Sequence, residues 1–185
     1  MAAASINAVF ANPLGVTILD ASNTPVSGAI VTFTAPGVGA SGLFANAAIA
    51  ISVTSDGSGV ACAPFTANGA AGGPYNVTAT APGLASVVFT LTNQQGAQTI
   101  AFTSPAPGNA RKGGATYTPT ATASSGLPVT LAVAPASAPV CAIAAGVISF
   151  TGPGVCTVNA NQAGNANYAA APQVQQSFFV RPGAP

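Results

Sequence analysis

The sequence predicts an all-β protein made of two tandem domains, and three observations carry that prediction. Apolar residues recur in short runs that alternate with polar ones at period two. Gly and Pro (21 and 16 of 185 residues) interrupt the chain too often for helices of ordinary length. The apolar fraction is 49% and the formal net charge is +1, whereas disordered chains combine few apolar residues with high net charge.

The elements follow in order. Leu14-Gly-Val-Thr-Ile-Leu-Asp20 sets Leu14, Val16 and Ile18 against Thr17. Ala29-Ile-Val-Thr-Phe-Thr-Ala35 puts Val31 and Phe33 on one face and Thr32 and Thr34 on the other, with Ile30 beside the threonines. Asn76 to Ala81 and Ser86 to Thr92 repeat the pattern, and Asp20-Ala-Ser-Asn-Thr-Pro25 and Asp56-Gly57 are turn signals. Asn93-Gln-Gln-Gly-Ala-Gln98 holds no large apolar residue and reads as a linker. A second series follows: Thr99 to Thr103, Ala115 to Ala123, Pro128 to Ala134, Val140 to Ile143, Val147 to Phe150, Val155 to Asn159 and Gln173 to Val180. About seven strands in about 90 residues per half is the count and spacing of an immunoglobulin-like β-sandwich. The expected domains are residues 1–95 and 96–185. Phe33-Thr-Ala-Pro-Gly37 is echoed by Phe150-Thr-Gly-Pro-Gly154, through remote duplication or through one composition solving the same turn twice.

Charge narrows the function. Charged residues make up 3% of the chain, and the inventory is Asp20, Asp56, Arg111, Lys112 and Arg181, with no Glu, His or Trp. Acid–base catalysis needs tuned His, Glu, Asp or Lys, metal sites need clustered ligands, and nucleic-acid binding needs many cations. The expectation is a protein that is not an enzyme, has no cofactor or metal, and does not bind nucleic acid. No apolar stretch approaches the about 20 residues of a membrane helix, so no membrane insertion is expected. Near-zero net charge removes the repulsion that keeps copies apart, so self-association is expected. Met1-Ala-Ala-Ala-Ser-Ile-Asn7 has neither a basic region nor a continuous apolar core and does not read as a signal peptide; export would follow removal of a leader or use another route.

Several residues in the first half carry a family resemblance. They are Pro13-Leu-Gly-Val-Thr17, Asp20 to Gly28, Val31-Thr-Phe-Thr-Ala-Pro36, Thr54-Ser-Asp-Gly-Ser-Gly-Val-Ala61 and Tyr75-Asn-Val-Thr-Ala79. This half resembles bacterial immunoglobulin-like domains of the invasin/intimin type. The second half resembles another such repeat through Gln98 to Thr103, Tyr117 to Thr130, the Cys141/Cys156 pair, and Asn159 to Tyr168 running on to Gln176. The resemblance implies a secreted or surface-attached bacterial protein, with such repeats serving as adhesin stalks beside neighbouring domains of the same kind. A host or matrix surface would be the eventual ligand, and there are no catalytic residues to transfer. Family members carry a strand before the segment that resembles Phe10-Ala-Asn-Pro-Leu14, where Ser5 to Phe10 is what this chain offers. The first domain is therefore expected to have a short or missing first strand, which would leave an edge for another chain's strand.

Candidate sites are few. Cys141 and Cys156 flank a strand pair, and a disulfide between them would close a loop of about 15 residues, worth about 3 kcal/mol. Two free buried thiols are the alternative, and the exported context that the resemblance implies favours the bond. Cys62, in Gly59-Val-Ala-Cys-Ala-Pro-Phe65, suits a small buried apolar residue. An intermolecular disulfide or free thiol is the alternative. Asp20 and Asp56 suit turn caps rather than catalysis or Ca²⁺, which needs about six to eight oxygens. Arg111-Lys112 is a solvated basic pair. Thr116, Thr118, Thr120 and Thr122 share one face of an extended segment, either a wet strand face or an ice-binding ladder. Tyr75, Tyr117 and Tyr168 suit corner positions of a sandwich or stacking on sugars. The leading expectation is a non-catalytic extracellular stalk or spacer segment. A self-assembling filament subunit that exchanges β-strands is the alternative, followed by a glycan- or ice-binding module.

Overall fold

Alternation of buried and exposed side chains becomes a two-layer arrangement in the first part of the chain. The computed structural model describes residues 1–183, which fall into two units, Met1–Gly96 and the residues from Ala97 onward. The first unit contains β1 (Ala2–Ser5), β2 (Leu14–Thr17), β3 (Ile30–Thr34), β4 (Gly42–Phe44), β5 (Ala50–Thr54), β6 (Val60–Ala63), β7 (Phe65–Ala67), β8 (Gly72–Thr80) and β9 (Val87–Gln94). One sheet has the order β1-β9-β8-β3-β5, and the pairs β2–β6 and β4–β7 supply the strands outside it. Val31, Phe33, Val77, Ala79 and Leu91 from the large sheet share one core with Leu14, Phe44, Ala61, Ala63 and Phe65. In β3, Val31 and Phe33 point inward while Ile30 and Thr34 stay exposed, the period-two pattern of a half-buried strand.

The first strand is present. β1 is short, four residues, and pairs in parallel with β9 from Ala2↔Leu91 to Ser5↔Gln94. Four residues suffice because only Ala4 has to reach the core, and the remaining side chains of the strand face out.

The second unit contains β10 (Ile100–Phe102), β11 (Ala121–Ala123), β12 (Thr130–Val133), a 3-10 turn (Pro135–Ser137), β13 (Cys141–Ala144), β14 (Val147–Phe150), β15 (Gly154–Asn161) and β16 (Val174–Val180). β12, β15 and β16 form an antiparallel sheet, with β10–β11 and β13–β14 as separate pairs. Its core gathers Cys141, Ile148, Phe150, Cys156, Val158, Phe178 and Val180, with Tyr117 and Phe102 against it. Phe178 meets Tyr117 and Phe150 edge-on, with centroids 5.6 and 5.8 Å away, a favoured aromatic geometry.

The polar stretch Asn93 to Gln98 is not a linker throughout. Asn93 belongs to β9 and is 2% exposed. Its Nδ2 donates to the carbonyls of Ser41 and Ala70, and its Oδ1 accepts from Tyr75 Oη at 2.7 Å. Gln98 is buried in the second unit, where Nε2 donates to Gln162 Oε1 and the Ala169 carbonyl. Buried amides with every group bonded are tolerated inside a core, so composition misplaced them. The connecting residues are Gln95, Gly96 and Ala97.

Burial pushes the Tyr75 hydroxyl from 10.0 up to about 12. The folded state therefore holds this proton more tightly than the unfolded chain. The associated stability is complete below pH 10 and is lost as pH rises through about 12. Denaturant unfolding of the first unit should weaken across that window. Tyr75→Phe should flatten the dependence, and an unchanged slope in that variant would assign the effect elsewhere.

Candidate functional site

The few chemically active side chains are held by backbone geometry that explains each of them locally. Asp20 Oδ1 accepts from the amides of Ser22 and Thr24, and Asp56 Oδ1 accepts from those of Ser58 and Val60. Both aspartates are turn caps. Among the described residues, no group of three or more His, Cys, Asp or Glu could hold a metal ion, and no helix is long and apolar enough to cross a membrane.

Cys141 and Cys156 form a disulfide that ties β13 to β15, with a Cα–Cα separation of 5.9 Å. Both are buried in the second core. Cys62 is not the buried residue that its apolar neighbours suggested. It is exposed, because Ala61 and Ala63 on either side take the inward positions of β6 and strand parity turns Cys62 out. It lies opposite Gly15 of β2, whose missing side chain leaves room for Sγ. A maleimide should label Cys62 in the folded, unreduced protein with a single equivalent, leaving the other two cysteines untouched; labelling that needs denaturant would contradict its exposure.

The threonine series does not make one flat ladder. Thr116, Thr118, Thr120 and Thr122 are all exposed, but the segment changes partners along its length. Tyr117 bridges to Ile148 of β14, whereas Ala121–Ala123 pairs with β10. Pro119 is buried between these pairings. Tyr75 and Tyr117 are tied inward: Tyr117 Oη donates to Gln176 Oε1 at 2.7 Å and shares a hydrogen bond with Ser104 Oγ. Tyr168 is half-buried.

Two surface features have more to offer. The first is an edge. β1 covers β9 from Leu91 to Gln94 and leaves Val87 to Thr90 without a strand on that side, among the described residues. The Gln94 carbonyl accepts from Ile6 N across this edge, and alternation along a strand turns the backbone groups of Val88 the same way. A groove of about 620 Å³ follows this half-edge, between Met1, Ala2, Pro13 and Leu14 on one side and Val88 and Thr90 on the other. No charged side chain lines it, although charge is the usual guard of an open edge.

The second feature is a segregation of charge. Both aspartates lie in the first unit, which has no Lys or Arg, and all three cations lie in the second, which has no Asp or Glu. This was legible in the sequence as two acids before Gly96 and three bases after it, and reading each charge singly misses it. The folding of each unit then concentrates them. The Asp20 and Asp56 turns interlock, since Ile18 N donates to the Gly59 carbonyl and Ser55 Oγ to that of Val26. They sit at the end of the first unit that carries the start of β9, away from Gly96. In the second unit, Arg111 and Arg181 form a parallel bridge and Lys112 N donates to the Arg181 carbonyl. This cluster lies beside Gly154 and Val180, at the end of β15 away from Asn161 and Gln162, where the chain enters the unit.

No family model and no curated protein matches the chain. Solved structures do. Invasin, a bacterial integrin-binding protein, matches with 22% identity and a TM-score of 0.53 over 96% of this chain. A C-terminal 282-residue fragment of intimin, solved with the intimin-binding domain of its translocated receptor, matches with 17% identity and a TM-score of 0.38 over 98% of this chain. Domains 4–9 of the surface layer protein SbsC match with 16% identity and a TM-score of 0.33 over 98%. The chain spans 37% of the invasin chain, 61% of the intimin chain and 30% of the SbsC chain. The likeness to invasin, together with the sheet layers and cores, makes the fold an all-β sandwich of the immunoglobulin-like kind.

Proposed function

We propose that this chain is a non-catalytic extracellular structural module, a stalk or spacer segment of a bacterial surface or adhesin-like protein. The observation that carries the reading is the way each unit closes on itself across a short connection. Asn93 is locked into one core and Gln98 into the other, with Gln95, Gly96 and Ala97 between strand and anchor. Among the described residues, no buried side-chain nitrogen or oxygen lacks a partner, so neither interior holds a polar group reserved for a ligand. The two aspartates spend themselves on turns. The likeness of fold to invasin supports a surface setting by analogy.

The test is reach. Increasing numbers of copies are displayed between a cell-surface anchor and an epitope, and epitope height is measured. A spacer of folded units raises the epitope in proportion to copy number, whereas a flexible coil gives growth close to the square root of length. Square-root growth would sink the reading.

The half-open edge of β9 favours a second reading, a filament subunit that accepts a strand from another copy at Val87 to Thr90. Val88→Pro removes an outward N–H, a change tolerated at a sheet edge. It should abolish fibres while leaving the fold intact. Fibres that persist in this variant would rule strand exchange out.

A further inference from the structure

The two charged ends described above are complementary in more than charge. At the acidic end, exposed Leu19, Ile30 and Leu84 rim a depression of about 490 Å³ that also includes Val26 and Pro82. Ile30 is 56% and Leu84 51% exposed, although each belongs to a residue type normally found inside. Asp20 and Asp56 stand beside this depression, each with one carboxylate oxygen engaged in its turn and the other without a hydrogen bond among the described residues. At the basic end, Val155 and Phe179 face each other across β15 and β16 and are 54% and 58% exposed. Phe179 and Arg181 are both exposed on either side of buried Val180, so strand alternation turns them to the same outward face, and the Arg181 backbone bridges to that of Arg111. Three like charges gathered at one end repel one another, and the second unit contains no acid to relieve them. Each end presents an apolar surface flanked by one sign of charge.

We propose that the acidic end of the first unit binds the basic end of the second unit of another copy. Phe179 and Val155 cover the Leu19–Ile30–Leu84 depression, and Arg111, Lys112 and Arg181 meet Asp20 and Asp56. The two surfaces differ, so the contact is heterologous, and repetition builds an open head-to-tail chain of molecules unless the rotation happens to close a ring. The apolar faces supply area, and the charges set orientation by penalising head-to-head and tail-to-tail encounters. This inference rests on the self-association reading but not on strand exchange, because the surfaces used are not the β9 edge. It predicts a different dependence on solution conditions. Opposed surface charges act over about 30 Å at about 0.01 M salt and about 3 Å at about 1 M.

The experiment is sedimentation velocity of the full chain over a concentration series at both salt levels. Concentration-dependent association at low salt that collapses towards monomer at high salt is expected. Asp20→Asn with Asp56→Asn keeps the turn-capping oxygens and removes the charge. It should weaken low-salt association about tenfold, from loss of two or three exposed charge pairs. Phe179→Ala should weaken association at either salt level without changing the salt slope. The decisive arm is a charge swap. One variant carries Arg111→Glu, Lys112→Glu and Arg181→Glu. The other carries Asp20→Asn and Asp56→Asn with Ser22→Lys and Ser58→Lys at exposed neighbours. Each alone stays monomeric, and an equimolar mixture associates again, because every junction is then complementary. Association unaffected by salt, a monomer at all concentrations, or a mixture that stays monomeric would overturn the proposal. Val88→Pro keeps the failures apart: it removes strand exchange and leaves salt-sensitive end-to-end association unchanged.

Discussion

Phe65→Ala is expected to cost the first unit about 3–5 kcal/mol, the range for deleting a buried phenyl ring. Phe65 has no exposed surface and sits between the rings of Phe44 and Phe10, with centroids 4.8 and 5.8 Å away. Neighbouring groups cannot collapse into the space. Gly42 is held against the same ring, and a Cβ there would overlap the Thr66 carbonyl oxygen, so the β4–β7 pair has already closed to backbone contact. The cavity would remain, and a small domain has only about 5–15 kcal/mol in total. Hydrogen exchange read by peptide should show protection falling across the first unit and holding in the second. Equal loss in both units would mean that they do not unfold separately.

Removing the Cys141–Cys156 link, by alanine at both positions or by reduction, should cost the second unit about 3 kcal/mol. The bond closes a loop spanning 15 residues and joins β13 to β15, two strands that do not pair with each other. Deleting it removes the covalent tie between the β13–β14 hairpin and the three-stranded sheet, and the two then hold together through the shared apolar core, including the edge-on contact of Phe150 with Phe178. The second unit should unfold at lower denaturant in reductant while the first keeps its midpoint. No separation of midpoints would show that the aromatic contacts carry this unit without the bond.

These expectations draw unequally on sequence and structure. β3, β13 and β14 lie close to where alternation puts them, because each sets its most buried residues (Val31 and Phe33, Cys141 and Ile143, Ile148 and Phe150) on one face and its Thr, Ser or Ala residues on the other, joined there by Ile30 in β3 and Val147 in β14. β4, β6 and β7 are short and rich in Gly and Ala. Their alternation carries little contrast in polarity, so the sequence does not mark them as strands. The Ala115 to Ala123 segment reads as continuous in the sequence because nothing local to it reveals that its two halves join different partners.

The sequence by itself determined the all-β character, the turn roles of Asp20 and Asp56, and the scarcity of ionisable groups, because these depend on residue type and on neighbours within a few positions. The tertiary structure decided which polar residues are interior. Asn93 bonds to a carbonyl 52 residues away and Gln98 to an amide 64 away, and polarity alone cannot distinguish a satisfied buried amide from a solvated one. It also decided the outward face of Cys62, the pairing of β1 with half of β9, and the gathering of Arg111 beside Arg181. Each of these is set by strand register, which brings distant residues together through backbone hydrogen bonds that carry no side-chain signature.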